Sequence, residues 1–180
     1  KIVVSTTNGG TVDSTPLKPT DTLYVDWAVV NSGNAAVPGS PAVYFKLYLD
    51  GALGSRGAAL IEPYSDEPES RGLITTSPDS IRMITESALQ KGFQVCVHAI
   101  GDKANHIALD EFEKASKKFT SQARTARLRI EHAQVIAQED MPRFKKLDVI
   151  PSMQPAHATS DMYCAQASLE PDRIRGAYAW

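Results

Sequence analysis

A chain of 180 residues is long enough for one domain of ordinary size, or for one domain and part of another. Its 19 basic and 21 acidic residues leave a net charge of −2, so no overall field steers it toward phosphate backbones, and neither nucleic acid nor membrane is expected as a partner. No apolar run approaches the ~20 residues that cross a bilayer, residues 1 to 15 carry no basic-then-apolar leader pattern, and Cys96 and Cys164 form no disulfide framework and leave the compartment open.

Residues 1–40 are rich in β-branched residues, Gly, Pro, Asn, Ser and Thr, with alternating runs such as TLYVDWAVV and turn signals such as NGG and NSGN, and predict strands and turns. VYFKLYL, residues 43 to 49, is the next strand. From about residue 70 the pattern becomes helix-period segments separated by short apolar runs, the mark of β/α alternation. The chain therefore divides into a β-rich segment, 1–40, of different character from an α/β part, 41–180.

Ser77, Pro78 and Asp79 open a helix with a capping hydroxyl, a proline at the first helical position and an acid near the positive end of the dipole. It should run to about Gly92, with Ile81, Ile84, Ala88 and Leu89 on its apolar face, and FQVCVH follows as a buried strand. Asp102 opens a second helix in which Ala104, Ile107, Ala108, Phe112 and Ala115 recur at helical spacing, followed by the basic, polar segment KKFTSQART. ARLRIEH is the next strand. A short helix around Glu139 to Lys146, with Met141, Phe144 and Leu147 inward, leads to the run DVIPSM.

Four parallel-type strands with helices between them suit part of a doubly wound sheet or part of a (β/α)8 barrel. In barrels the reactive side chains sit at the C-terminal ends of several strands. His98 ends FQVCVH, His132 ends ARLRIEH, and Gln154 and His157 follow DVIPSM. Neighbouring parallel strands lie roughly 5 Å apart, close enough for two imidazoles to meet one Zn²⁺ at about 2.1 Å. His106, one turn into a helix, is expected on the surface. Strand parity, counted back from each histidine, sends Gln94, Cys96 and His98 into the barrel with Leu128, Ile130 and His132, and turns Arg129 and Glu131 outward.

FKLYLDGALGSRGAALIEPYSD, GFQVCVHAIGDKANHIALDEFE and RLRIEHAQVIAQEDMPRFKKLDVIPSMQPAHATSDM resemble consecutive motifs of the amidohydrolase superfamily. The nearest branch is the amidohydrolase 3 group, which includes YtcJ-like proteins and N-substituted formamide deformylases. The resemblance spans about residues 43–180 and rests above all on HAIGD, IEHAQ and QPAHATSD. It implies a partial, half TIM-type β/α barrel whose segments are strands four to seven, with His98 and His132 as ligands of a divalent metal, Zn²⁺ by preference. Lys46 matches a position that CO2 can carboxylate to a metal-bridging carbamate; without that modification it is a strand lysine paired to an acid. Gln154, His157 and Arg56 would line the substrate pocket. The implied reaction is hydrolysis of a small amide-type C–N substrate, and of some esters, by a metal-activated water.

Two family features are missing from the 180 residues: the His-x-His pair of the first barrel strand, and the aspartate of the eighth, before which the chain stops at GAYAW. The chain is therefore expected to be a truncated barrel. Residues 1–50, especially TLYVDWAVVNSGNAAVPGS, weakly resemble a cell-adhesion-related immunoglobulin-like module, which would make the chain a chimera, extracellular from that segment and cytoplasmic from the other. A half-barrel exposes two sheet edges and an apolar face, so a homo-oligomer is expected. The competing readings are a non-catalytic barrel fragment, an adhesion module, and a serine hydrolase; the last is disfavoured because LGSRG lacks the first glycine of G-x-S-x-G.

Overall fold

The computed structural model describes Ile2–Ser5, Tyr24–Trp27, residues 44 to 175 and Ala177. The chain separates into two units, Lys1–Val43 and Tyr44–Trp180. In the first, β1 (Ile2–Ser5) pairs antiparallel with β2 (Tyr24–Trp27), Ile2 opposite Trp27 and Ser5 opposite Tyr24. The turn signals NGG and NSGN lie outside the described residues.

The second unit runs β3 (Tyr44–Tyr48), α1 (Pro78–Gln90), β4 (Gln94–Ala99), α2 (Asp102–Lys118), α3 (Thr120–Ala126), β5 (Arg129–His132), α4 (Met141–Leu147), β6 (Ile150–Ser152), α5 (His157–Ser160), α6 (Met162–Ser168) and α7 (Pro171–Ile174). The strands pair in the order β3-β4-β5-β6, every pair parallel. This four-stranded parallel sheet with helical crossovers has the β/α arrangement of part of a TIM-type barrel. No helix among the described residues is long and apolar enough to cross a membrane.

Local chemistry sets the element ends. The Ser77 hydroxyl accepts from the Ser80 amide at 3.2 Å, Pro78 takes the first helical position, and Gly92, at φ +76°, lets the chain turn back into β4. The polar segment after α2 forms a further helix, α3, which was not expected. None of its residues is fully buried, so no apolar stripe announces it; Phe119 separates it from α2, and Arg127, at φ +52°, ends it.

Alternation along the strands builds two unlike faces. Leu47, Val95, Val97, Ala99, Leu128 and Ile130 pack with Ile81 and Leu89 of α1, Ala108 and Phe112 of α2 and Phe144 of α4 to form the main core. The opposite face is polar. Its ladder rows are Lys46, Cys96, Arg129 and Ile150, and next to it Tyr48, His98, Glu131 and Ser152. The expected parity therefore holds in β4 and is reversed in β5: Leu128 and Ile130 face the helices, while Arg129 and Glu131 face inward. There the two charges pair with each other at 2.5 Å, the guanidinium lies 5.3 Å from the centre of the Tyr44 ring, and both flank Cys96. The count from His132 fails because His132 itself, at φ +73°, and Ala133, at φ +44°, have left the extended conformation.

A smaller cluster folds the long connection after β3 onto the ends of the strands. Leu53, Ala58, Leu60 and Tyr64 pack with Ile100, Val135, Ala165 and Leu169, and the Tyr64 hydroxyl donates to the Ala58 carbonyl at 2.8 Å. Gly101 is required at this junction, since a Cβ there would sit 1.9 Å from the Ala59 carbonyl oxygen.

Candidate active site

The C-terminal ends of the strands converge on Asp50, which follows β3. Its carboxylate is buried and accepts from the backbone amides of Ala59 at 3.0 Å, Ile100 at 3.0 Å and Gly101 at 2.8 Å. Two connections, from β3 to α1 and from β4 to α2, are thereby fixed by one side chain. Asn105, buried on α2, adds a second tie by donating to the carbonyls of Ala99 at 3.1 Å, Gly101 at 2.9 Å and Val135 at 3.3 Å. Sequence reasoning missed both residues. For Asp50 a signal was available: an acid between a strand end and a glycine.

His98 Nε2 lies 3.5 Å from Asp50 Oδ1. Burial pushes Asp50 up to about 6, against the pull of the amides of Gly101, Ile100 and Ala59. Burial first, and then the nearby charges of His132 and Lys46, lower His98 to about 4. With these values both groups are uncharged between pH 4 and 6, so the contact is a polar one and not an ion pair. His132 is also lowered, by burial first, against the neighbouring Gln154 amide, and then by Lys46 and His157. Both imidazoles are consequently neutral near pH 7, the form that offers a lone pair to a metal.

The rings form a row. Tyr48 and His98 have centroids 5.2 Å apart, His98 and His132 4.6 Å, and His132 and His157 5.9 Å. Lys46 stands one ladder row away on the same face, its ammonium 5.1 Å from the centre of the Tyr48 ring. Gln154 lies beside His132 and donates to the Ser152 carbonyl at 3.0 Å. The structure thus brings together Lys46, His98, His132, Gln154 and His157.

Arg56 is placed differently. Its guanidinium is engaged with both carboxylate oxygens of Asp66 and with the Gly54 carbonyl, in a loop where Arg56 takes φ +59°. The Ser55 hydroxyl donates to the Ala52 carbonyl at 3.2 Å, a turn contact and not a nucleophile–imidazole pair. His106 lies on the half-exposed surface of α2, 2.9 Å from Asp140 and 3.6 Å from Asp110.

Two orphaned nitrogens test the fit to a metal. His98 Nε2 and His132 Nδ1 are buried and have no hydrogen-bond partner, a costly arrangement that a ligated ion would relieve. Among the described residues no group of three or more His, Cys, Asp or Glu side chains converges as a ligand set. The face therefore presents a pair of imidazoles with unpartnered nitrogens, without a third converging ligand among the described residues. A cleft of about 530 Å³ lined by Ile61, Asp102, Val135, Gln138 and Arg173 lies elsewhere, and no ring of the row borders it.

Comparison with known sequences decides the lineage: the model of the amidohydrolase family matches residues 35–180. The chain belongs to the amidohydrolase family. This amidohydrolase-family chain is 35% identical over 135 residues to "Putative amidohydrolase YtcJ" of Bacillus subtilis, a match covering 75% of the chain and 25% of that protein. It is 40% identical over 116 residues to the protein LONG AFTER FAR-RED 3 of Arabidopsis thaliana, covering 64% of the chain and 20% of the relative. Crystal structures of uncharacterized metal-dependent hydrolases from Pyrococcus furiosus and Pyrococcus horikoshii superpose with TM-scores of 0.66 and 0.65, at 40% and 37% identity. Each superposition covers 74% of the chain and 26% of the crystallised chain. The amidohydrolase match thus spans only a fifth to about a quarter of the length of these relatives. It also begins at residue 35, inside the stretch that resembled an adhesion module, and nothing in β1 or β2 supports such a module.

Proposed function

We propose that the chain carries part of the active site of a metal-dependent hydrolase that cleaves amide-type C–N bonds and accepts some esters. The observation that carries this reading is the edge-to-face pair of His98 and His132, each with an unpartnered buried nitrogen at the C-terminal end of adjacent parallel strands. In a family whose crystallised relatives are described as metal-dependent hydrolases, that pair is the natural seat of a divalent ion. Neutral imidazoles of this kind suit Zn²⁺ well.

His98 and His132 would hold the ion, and Lys46, once carboxylated, would supply anionic oxygens from the adjoining row. Unmodified, its ammonium ligates nothing. A bound divalent ion supplies a Lewis acid and an acidified water. The chain's own residues orient the rest: Asp50 and its three amides hold the strand ends in place, burial keeps both imidazoles unprotonated, and Gln154 and His157 border the position of the substrate. Arg56, tied to Asp66, serves this reading only if the loop opens.

Among the described residues β3 and β6 are each paired along one side only, and the imidazole pair has no third converging ligand. We therefore place a second copy of the chain, or further strands of a longer protein, against these edges. A single sedimentation experiment at micromolar concentration separates a homo-oligomer from a monomer.

Metal analysis and hydrolysis of N-formyl amides and p-nitrophenyl esters, before and after chelation, test the chemistry. The expected result is bound zinc, activity lost on chelation, and loss of both metal and activity in His98→Ala and His132→Ala. Activity that survives the chelator and His98→Ala overturns the metal mechanism. Bound metal with no hydrolysis of either substrate class favours the alternative of a metal-binding barrel fragment without catalysis.

A further inference from the structure

The polar groups behind the third imidazole form a chain of contacts that the metal pair does not use. Gln134, on the connection from β5 to α4, is buried, and its side-chain amide donates to Asp161 Oδ2 at 3.0 Å. Asp161 Oδ1 accepts from the Ser160 hydroxyl at 2.9 Å. Asp161 Oδ2 stands 3.4 Å from His157 Nδ1, and the His157 ring meets His132 edge to face at 5.9 Å. His157 and Asp161 are four residues apart across one helical turn, joined also by the Asp161 amide donating to the His157 carbonyl at 3.0 Å, so their side chains share a face.

We propose that Asp161 is a positioning residue for His157, held in turn by Gln134, so that His157 carries its proton on Nδ1 and keeps Nε2 free as a hydrogen-bond acceptor. An ionised carboxylate only accepts hydrogen bonds, so the imidazole nitrogen facing it must be the one bearing hydrogen. At 3.4 Å this is a close polar contact and not a formed hydrogen bond, and contacts of this kind in active sites are often long or poorly aligned before substrate binds. Gln134 matters because it approaches from a different βα connection. It pins Asp161 Oδ2 against the strand end that also carries His132, which couples the orientation of His157 to the histidine pair. The consequence for catalysis, a proton carrier or hydrogen-bond partner of fixed polarity beside the substrate, rests on the hydrolase reading; the tautomer does not.

The test is the tautomer itself. Long-range 15N–1H correlation spectra of the histidine-labelled, metal-loaded protein should show His157 as the Nδ1–H form. Asp161→Ala should convert it to the Nε2–H form or a mixture, Ser160→Ala should leave it unchanged, and Gln134→Met should give partial mixing. With a working substrate, Asp161→Ala should lower kcat tenfold or more with KM within about twofold, and Asp161→Glu should restore part of the loss. Wild-type His157 found as Nε2–H, or a tautomer indifferent to Asp161→Ala, overturns the proposal. Should Asp161→Ala fail to fold, Gln134→Met decides, and an unchanged tautomer there overturns the coupling. The expected tautomer in a protein that hydrolyses nothing supports the positioning and sinks only the hydrolase reading.

Discussion

His98 and His132 meet edge to face with ring centroids 4.6 Å apart, although the ladder pairs His98 with Glu131 and His132 with Ala99. A regular strand would have sent the His132 imidazole toward the helices, beside Ala99. The left-handed backbone at His132 and Ala133 brings it to the polar face instead.

That geometry makes residue 133 sensitive to side-chain shape. A β-branched residue tolerates the left-handed region poorly, and the strain of that region is about 1–2 kcal/mol for an L-residue. Ala133 already carries that strain, so Ala133→Val is expected to lower unfolding free energy through its branched Cβ and through overpacking of a buried site, by about 1–3 kcal/mol, and to weaken metal binding as His132 is drawn back toward the ladder. Urea denaturation and isothermal titration with Zn²⁺ measure the two effects; normal stability and affinity would refute the role given to the backbone.

Asp50 and His98 give stability opposite slopes with pH. Asp50 is raised from 3.8 to about 6, so its contribution is complete below pH 3.8 and is lost as pH rises through 6. His98 is lowered from 6.5 to about 4, so its contribution is complete above pH 6.5 and is lost as pH falls through 4. The two largely offset in the wild-type protein. Between pH 4 and 6, Asp50→Asn should make the stability of chelator-treated protein climb more steeply with pH than wild type, and His98→Gln less steeply. Equal slopes in all three proteins would contradict the assignment.

Lys46 is a probe of carbamate chemistry. Lys46→Gln keeps the strand but removes the amine, and should reduce metal content and activity by at least the roughly ten- to hundredfold seen when outer partners of a metal site are lost. Added bicarbonate should raise the metal content of wild type and leave Lys46→Gln unmoved. A strand lysine without a metal role would show neither effect.

Arg56 separates a loop clamp from a substrate contact. Its pair with Asp66 is partly exposed, and such pairs contribute about 0–1 kcal/mol. Arg56→Ala is therefore expected to cost less than about 1 kcal/mol and to leave KM unchanged. A several-fold rise in KM would restore Arg56 to the substrate pocket.

The β/α alternation was legible because each core helix shows its own stripe: Ile81, Ala88 and Leu89 on α1, and Ala104, Ala108, Phe112 and Ala115 on α2, are all buried at helical spacing. The strand-end histidines were legible because polar residues that close apolar runs stand out. α3 was not, since a helix without buried residues leaves no period. The facing of Arg129 and Glu131 was misjudged because alternation holds only while the backbone stays extended, and a sequence does not announce the residue at which it stops. Asp50, Asn105, Gln134 and Asp161 were missed as a group. Each acts by hydrogen-bonding across 27 to 51 residues of chain or by holding a residue that does, and only folding brings such partners together.

The carboxylate of Asp50 joins amides from two separate stretches of chain. The N–H groups of Ala59, Ile100 and Gly101 share that one acceptor, so removing it leaves all three unpartnered at once. In native-state hydrogen exchange Asp50→Ala should therefore strip protection from all three amides together, although Ala59 lies roughly forty residues from the other two.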